Sequence, residues 1–583
     1  MAPAEPLFAN NRRDSSLHSE ERAADEDTAL LVSGQKDSGS PLRRASFWRE
    51  VGLFTWALVA TAACIVLAVF TQHQGLSHDS GADHNAPSKH TGKRNLVFMV
   101  SDGMGPASLS MTRSFRQLRD GLPIDETLVL DQHLIGSSRT RSTSSLVTDS
   151  AAGATAFSCG LKSYNGAISM LPDHTPCGTV LEAAKKAGYM TGLVVTTDIT
   201  DATPACFAAH VNVRLEEDLI AQQEVGEHPL GRVVDIMLGG GRCHFLPNTT
   251  EGGCRADDRD ITKLAQEKFG WNYVDSRKDF DRLELGKNVK LPLLGLFAER
   301  DIPFEIDRRN QNDVYPSLNE MAQTALKALE DATADSDKGF FLMIEGSRID
   351  HAGHGNDPAA QVNEVLAYDD AFASVIEFLE RSDDEGVLVA TSDHETGGLS
   401  VARQLHPMYP QYKWLPEVLV NASSSAEHLA GRLNNHVTQN GKGDKLGKFI
   451  SEELVRKGLG ITDVTEQELQ LLIGNPPLSV YTFADMISRR AQIGWSTHGH
   501  SAVDVNIYGT TGSDALRGNH ENIEIGKFLR NYLDVDVKAI TDELVEKLDT
   551  FSMSNIATKT WTGRIPSEED LELASNHYQP HHG

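Results

Sequence analysis

The chain has 583 residues, with 54 Lys and Arg against 82 Asp and Glu and a formal net charge of −28. That length can bury a large core, and 40% apolar with 23% charged residues marks most of the chain as globular. The acidic balance excludes nucleic acid as a partner, because phosphate backbones repel such a surface. Six cysteines are too few for a disulfide-dense scaffold.

Residues 1–50 are polar and poor in aromatics, and read as a disordered cytosolic tail. Val51–Phe70 is an uncharged apolar run of twenty residues. At ~1.5 Å per residue it is long enough to cross a hydrocarbon core of ~30 Å. Arg43, Arg44 and Arg49 precede it, whereas residues 71–88 carry no Lys or Arg. The positive-inside bias therefore predicts a single-pass signal anchor (type II), with the bulk of the chain outside the cytosol. Residues 71–93 read as a stalk, 94–550 as the main folded domain and 551–583 as a C-terminal extension. Residues 403–490, rich in Pro, Gly, Asn and Ser, read as an insertion. In the tail, Glu26, Leu30 and Leu31 resemble an acidic dileucine signal of the kind that vesicle adaptors bind. Asn248 and Asn421 open glycosylation sequons on the non-cytosolic side. Five cysteines follow the apolar run; Cys243 and Cys254 close the shortest loop and are the preferred disulfide.

From residue 95 the pattern is α/β. Leu96–Val100, Gly192–Val195, Phe340–Ile344 and Val387–Ala390 are apolar runs of strand length that predict buried, mostly parallel strands. Thr179–Ala187 and Pro358–Glu380 carry helical spacing, so the expected fold is a central sheet with helices on both faces. Each strand runs into ligating side chains: Asp102 after the first, Asp201 after the second, Glu345, Asp350, His351 and His354 after the third, Asp393 and His394 after the fourth. Ligands of open α/β sheets bind outside the carboxyl ends of strands. A single Asp there is usually a turn or cap residue; four such ends, two with Asp/His clusters, call for another explanation. Asp/His sets suit Zn²⁺, and a carboxylate–hydroxyl set suits Mg²⁺. His498 and His500 lie far downstream in a Thr-His-Gly-His stretch.

Thr148-Asp149-Ser150-Ala151-Ala152 opens a small-residue helical pattern. A serine at a helix start can be a cap. It can equally be a nucleophile, because the helix N-terminus favours an anion and small neighbours admit a substrate. Arg214 supplies a planar fork that can grip two phosphate oxygens.

The segments Val100–Gly105, Thr148–Ala152, Asp201–Pro204, Glu345–His354, Ser392–Glu395 and Thr497–Gly499 resemble, in order, the motifs of the alkaline phosphatase family. With the anchor and acidic tail, the chain is similar to the fungal vacuolar branch of that family. The resemblance implies a metal-dependent phosphatase that cleaves small phosphomonoesters through a phosphoserine, holding two Zn²⁺ and one Mg²⁺. It puts Asp350, His354 and His498 on the first zinc and Asp102, Asp393 and His394 on the second, with Ser150 as nucleophile. It puts Asp102, Thr203 and Glu345 on magnesium, and Arg214 on phosphate. Asp201 and His351 match two positions that vary between branches and flank the ligands. A homodimer in the vacuolar (or lysosome-like) membrane, with its catalytic domain in the lumen, is also implied. The alternatives are another activity of the same superfamily, a phosphodiesterase or sulfatase, or an inactive anchored binding protein. No Cys/Ser-x-Pro-x-Arg motif marks a sulfatase nucleophile, and a serine stands where diesterases often carry threonine.

Overall fold

The structure is a computed structural model that describes residues 92–548, 550–551 and 560–575. The expected tail, membrane anchor and most of the stalk lie outside the described residues. No helix among the described residues is long and apolar enough to cross a membrane.

The described residues form twelve strands: β1 (Arg94–Val100), β2 (Leu134–Arg139), β3 (Met190–Asp198), β4 (Ile236–Gly240), β5 (Asn272–Val274), β6 (Leu293–Leu296), β7 (Phe340–Glu345), β8 (Glu385–Thr391), β9 (Glu395–Thr396), β10 (His500–Ser501), β11 (Val505–Gly509) and β12 (Gly518–Glu521). Ten of them make one sheet in the order β12-β2-β11-β8-β1-β7-β3-β4-β6-β5. Its ladders are parallel except where β11 runs antiparallel to β2 and β8. All four strands expected from the apolar runs are present, and β1, β7, β3 and β8 are neighbours at the centre.

Successive side chains of a strand point to opposite faces, so each central strand feeds two cores. Leu96, Phe98 and Val100 join Leu193, Val195, Phe341 and Met343 on one face. Val97 and Met99 join Val194, Leu342, Ile344 and Leu388 on the other. The two predicted helices form between clear signals. Val180–Lys186 starts at a Thr179–Glu182 capping box. Pro358–Arg381 starts at Asp357, whose carboxylate accepts from the Ala359 and Ala360 amides, with Pro in its first turn.

The insertion-like stretch is more regular than its composition suggests. Helices Pro416–Val420, Ala426–Asn440 and Ser479–Ala491 build a third core with Met111, Phe115, Ala359 and Val362. At the other end, the C-terminal extension packs onto the body. Trp561 is 1% exposed and packs edge-on against His210 and His228, so residues 560–575 belong to the folded body. Asn248 and Asn421 are both exposed. Cys243–Cys254 is a disulfide, as expected; Cys159–Cys177 is a second, and Cys206 is a buried free thiol.

Candidate active site

The carboxyl ends of β1, β3, β7 and β8 converge, and with them their acids and imidazoles. After β1 the chain turns through Gly103, at φ +73°, where a Cβ would lie 2.6 Å from Asp350 Cα. Only glycine tolerates both that angle and that approach, so the turn brings Asp102 against the Asp350 loop.

Asp102, Asp393 and His394 form one set of mutually close ligand atoms. His394 Nε2 is 3.1 Å from Asp393 Oδ2 and 3.7 Å from Asp102 Oδ1. Ser150, first residue of the helix Ser150–Cys159, places Oγ 3.1 Å from the same Nε2. The Thr203 hydroxyl donates to Asp102 Oδ2 at 3.5 Å and also contacts Glu345, so Asp102, Thr203 and Glu345 make a second set that shares Asp102 with the first.

The third set differs from expectation. Asp350 and His354 are joined by His500, not His498. His354 Nε2 lies 3.2 Å from Asp350 Oδ2 and 3.2 Å from His500 Nε2, which is 3.6 Å from Asp350 Oδ1. The reason is a two-stranded ribbon in which β10 pairs antiparallel with β9, putting His500 opposite Thr396. His500 then stacks on His394 with ring centroids 3.5 Å apart. The exposed His498 contributes its carbonyl to His354 Nδ1 and turns its ring toward Tyr481, at 4.5 Å between centroids.

The imidazoles are oriented for ligation. His500 Nδ1 donates to the Thr148 carbonyl at 2.8 Å, His354 Nδ1 to the His498 carbonyl, and His394 Nδ1 lies 3.2 Å from the Thr396 hydroxyl. Each outer nitrogen is thereby engaged, and each Nε2 faces inward. A tetrahedral ion with bonds of ~2.0 Å separates its ligands by about 3.3 Å, close to the spacing within both Asp/His sets. Charge points the same way. Burial, then Asp393 and Asp350, push the Asp102 carboxyl well above its ordinary value. Burial, with Asp201 and Asp393, pushes Glu345 up to about 8. Burial opposes the charge on Asp350 too, but His354 and its neighbours hold it well below the usual range. Burial, His394 and His354 keep His500 neutral, down to about 3. Asp102 Oδ1 accepts no hydrogen bond from the described residues. So many buried carboxylates, with Asp393 Oδ2 orphaned as well, are the environment a cation relieves, and the residues fit divalent metals.

Arg214 lies 9% exposed, donating from Nη2 to Asp201 Oδ1 at 2.6 Å, with Nη1 3.6 Å from Asp149 Oδ2. Asp149 also caps the Ser150 helix through the Ala152 amide, so the guanidinium stands beside the start of that helix. Arg214 Nε donates to no acceptor among the described residues. His351 faces Asp301, its Nδ1 3.2 Å from Oδ2. Thr396 and Asp301 carried no sequence signal beyond being ordinary polar residues, and Asp149 was legible only as a member of the Thr148–Ala152 motif.

The sequence model of the alkaline phosphatase family matches residues 93–535. The chain is 53% identical to the repressible alkaline phosphatase of Saccharomyces cerevisiae, over 91% of this chain and 96% of that one. It is 46% identical to an alkaline phosphatase of Schizosaccharomyces pombe, over 90% and 94%. Among solved structures it is similar to the alkaline phosphatase of Thermus thermophilus, with 30% identity, a TM-score of 0.64, and coverage of 79% of this chain and 95% of that one. The Shewanella enzyme gives 31% identity and a TM-score of 0.63, covering 75% and 99%. An ordered set of Asp, His and Ser at the carboxyl edge of the sheet, together with matches over nearly the whole chain, establishes that this protein belongs to the alkaline phosphatase family.

Proposed function

We propose that this phosphatase hydrolyses phosphate monoesters by transferring the phosphoryl group first to Ser150 Oγ and then to water. The observation that carries the proposal is the place of Ser150: at a helix N-terminus, 3.1 Å from His394 Nε2 and next to the Arg214–Asp149 pair. The helix end favours the incoming anion. Arg214, held at Nη2 by Asp201, keeps Nε for a phosphoryl oxygen and orients the group for in-line attack. The Ser150 Oγ–P bond forms as the ester O–P bond breaks, and water then cleaves the phosphoserine.

Two Zn²⁺, held by Asp350, His354 and His500 and by Asp102, Asp393 and His394, and one Mg²⁺ near Asp102, Thr203 and Glu345 would lower the hydroxyl pKa and offset charge on the attacking and leaving oxygens. Acid–base groups contribute ~10²–10⁴, far short of the accelerations up to ~10²¹ reached on monoesters. Preorganised positive charge has to supply much of the difference.

Replacing Ser150 tests the reading. Ser150→Ala should abolish phosphoserine trapping and nearly all turnover of an aryl phosphate while zinc stays bound; a labelled phosphoryl group on another residue would overturn the assignment. Parallel assays on an aryl diester and an aryl sulfate decide against the other superfamily activities if monoester turnover dominates. For the whole chain, the apolar run and its basic flank support a type II anchor in the vacuolar membrane. We extend the proposal to a homodimer there, sorted through Glu26, Leu30 and Leu31 and glycosylated at Asn248 and Asn421. Release of the protein from membranes by alkaline carbonate would exclude the anchor.

A further inference from the structure

A fourth cluster of ligating side chains lies at the same sheet edge and shares no residue with the three sets above. Asp198 is the last residue of β3, Glu217 opens the helix Glu217–Val225, and His244 lies in the turn Arg242–Phe245 that follows β4. The turn reaches Asp198 because residue 241 is glycine at φ +83°, where a Cβ would sit 2.9 Å from Asp198 Cα. The Cys243–Cys254 disulfide and a 2.8 Å bond from Arg255 Nη1 to the His244 carbonyl hold the turn in place. Asp198, Glu217 and His244 are 6%, 8% and 7% exposed.

His244 Nε2 lies 3.0 Å from Glu217 Oε2 and 3.7 Å from Asp198 Oδ2, and one ligand atom from each residue falls within 4.8 Å of the others. His244 Nδ1 is 3.0 Å from Asp218 Oδ1, so it carries a proton and donates. Arg300 Nη1 approaches Nε2 at 2.8 Å. Neither protonation state of His244 satisfies this geometry. A neutral ring takes the Arg300 donor but sets its lone pair against the Glu217 carboxylate. A charged ring donates to Glu217 but sets its N–H against the Arg300 N–H. Two further facts concern the carboxylates. Asp198 Oδ1 and both oxygens of the fully buried Glu224 accept no hydrogen bond from the described residues. Glu224 also feels the charges of Glu217 and His244.

We propose that Asp198, Glu217 and His244 bind an additional divalent cation, a Zn²⁺- or Mn²⁺-type ion suited to one imidazole and two carboxylates. The ion takes the Nε2 lone pair and both carboxylate oxygens, whose spacing is near the about 3.3 Å of tetrahedral ligands. The Nδ1–H on Asp218 is the outer-shell bond that fixes a ligating imidazole. Arg300, whose side chain is 40% exposed, turns toward solvent when the ion binds. The role is structural. Asp198 N donates to Asp301 Oδ1 at 3.2 Å and Asp301 Oδ2 meets His351, so the ion braces the end of β3 that leads to Asp201 and Thr203.

The test is the zinc and manganese content of the purified full-length enzyme, together with its equilibrium affinity for Zn²⁺. The wild type should carry one more ion per chain than Glu217→Gln, while an Asp393→Asn/His394→Asn variant keeps that ion and loses one from the catalytic sets. Equal ion counts in wild type and Glu217→Gln overturn the proposal. Arg300→Ala guards against a Glu217 variant that fails to fold, because it removes an exposed competitor and leaves every ligand. It should tighten the weakest Zn²⁺ site by ~10-fold or more, since a unit positive charge within ~3 Å is lost. Unchanged affinity in Arg300→Ala overturns the proposal as well. Neither readout depends on turnover, so a failure of the phosphatase mechanism stays distinguishable.

Discussion

At the scale of single residues, His500 and His498 make the sharpest contrast. They are two residues apart, yet only His500 Nε2 faces Asp350 and His354. His500→Ala is expected to lose one zinc and ~10²-fold or more of kcat/KM, more than the 10- to 100-fold typical of outer-shell partners. His498→Ala removes an exposed ring whose Nδ1 lies 2.8 Å from the His354 backbone carbonyl and which is not part of the Asp350–His354–His500 set. It should keep its metal content and lose less than ~10-fold. Metal analysis with steady-state kinetics on both variants checks the pair. Arg214→Ala should weaken inhibition by inorganic phosphate while leaving measurable turnover. The phosphate inhibition constant decides this, and an unchanged value would remove the clamp role.

At the scale of elements, Asp307 and Asp357 join the insertion to the body, and Glu364 ties two segments of the body together. Asp307 accepts from the Ser425 amide, Asp357 from Ala426, and Glu364 from Glu305. Burial pushes Glu364 up to about 7 and Asp307 and Asp357 up to about 6. A carboxyl raised in the folded state binds its proton more tightly there than in the unfolded chain. Its contribution is therefore present in full below the unfolded value and is lost as pH rises through the folded one. The stability these three carboxyls contribute should fall between roughly pH 4 and 7. Glu364→Gln keeps a carbonyl acceptor and removes the titration. It should be more stable than wild type at pH 8 by on the order of 1–3 kcal/mol, and not at pH 4. Thermal midpoints at both pH values test the sign.

At the scale of the whole molecule, the sheet order collects distant segments at one edge. β1, β7, β3 and β8 are separated by up to hundreds of residues but adjacent in space. The segment 560–575 closes over this body through Trp561, whose indole Nε1 donates to the Lys547 carbonyl at 3.2 Å. Trp561→Ala should cost ~3–5 kcal/mol, as for other fully buried aromatics. A thermal midpoint unchanged from wild type would mean that this segment does not hold the body together.

The strands, the helices beginning near Thr179 and Pro358, and the ligand types after each strand were legible in the residues, because periodicity and apolar runs are local properties. So was the Cys243–Cys254 bridge, a short loop closure. The choice of His500 over His498 was not legible. It depends on the register of a two-residue ribbon whose strands lie more than a hundred residues apart. The partner of His351, the Cys159–Cys177 bridge, the burial of Trp561 and the Asp198–Glu217–His244 cluster are likewise long-range facts. Amino-acid order alone determined which chemistry each strand end delivers. Tertiary structure alone decided which of those groups meet, because side chains distant in sequence become neighbours only when the parallel sheet brings its carboxyl ends together.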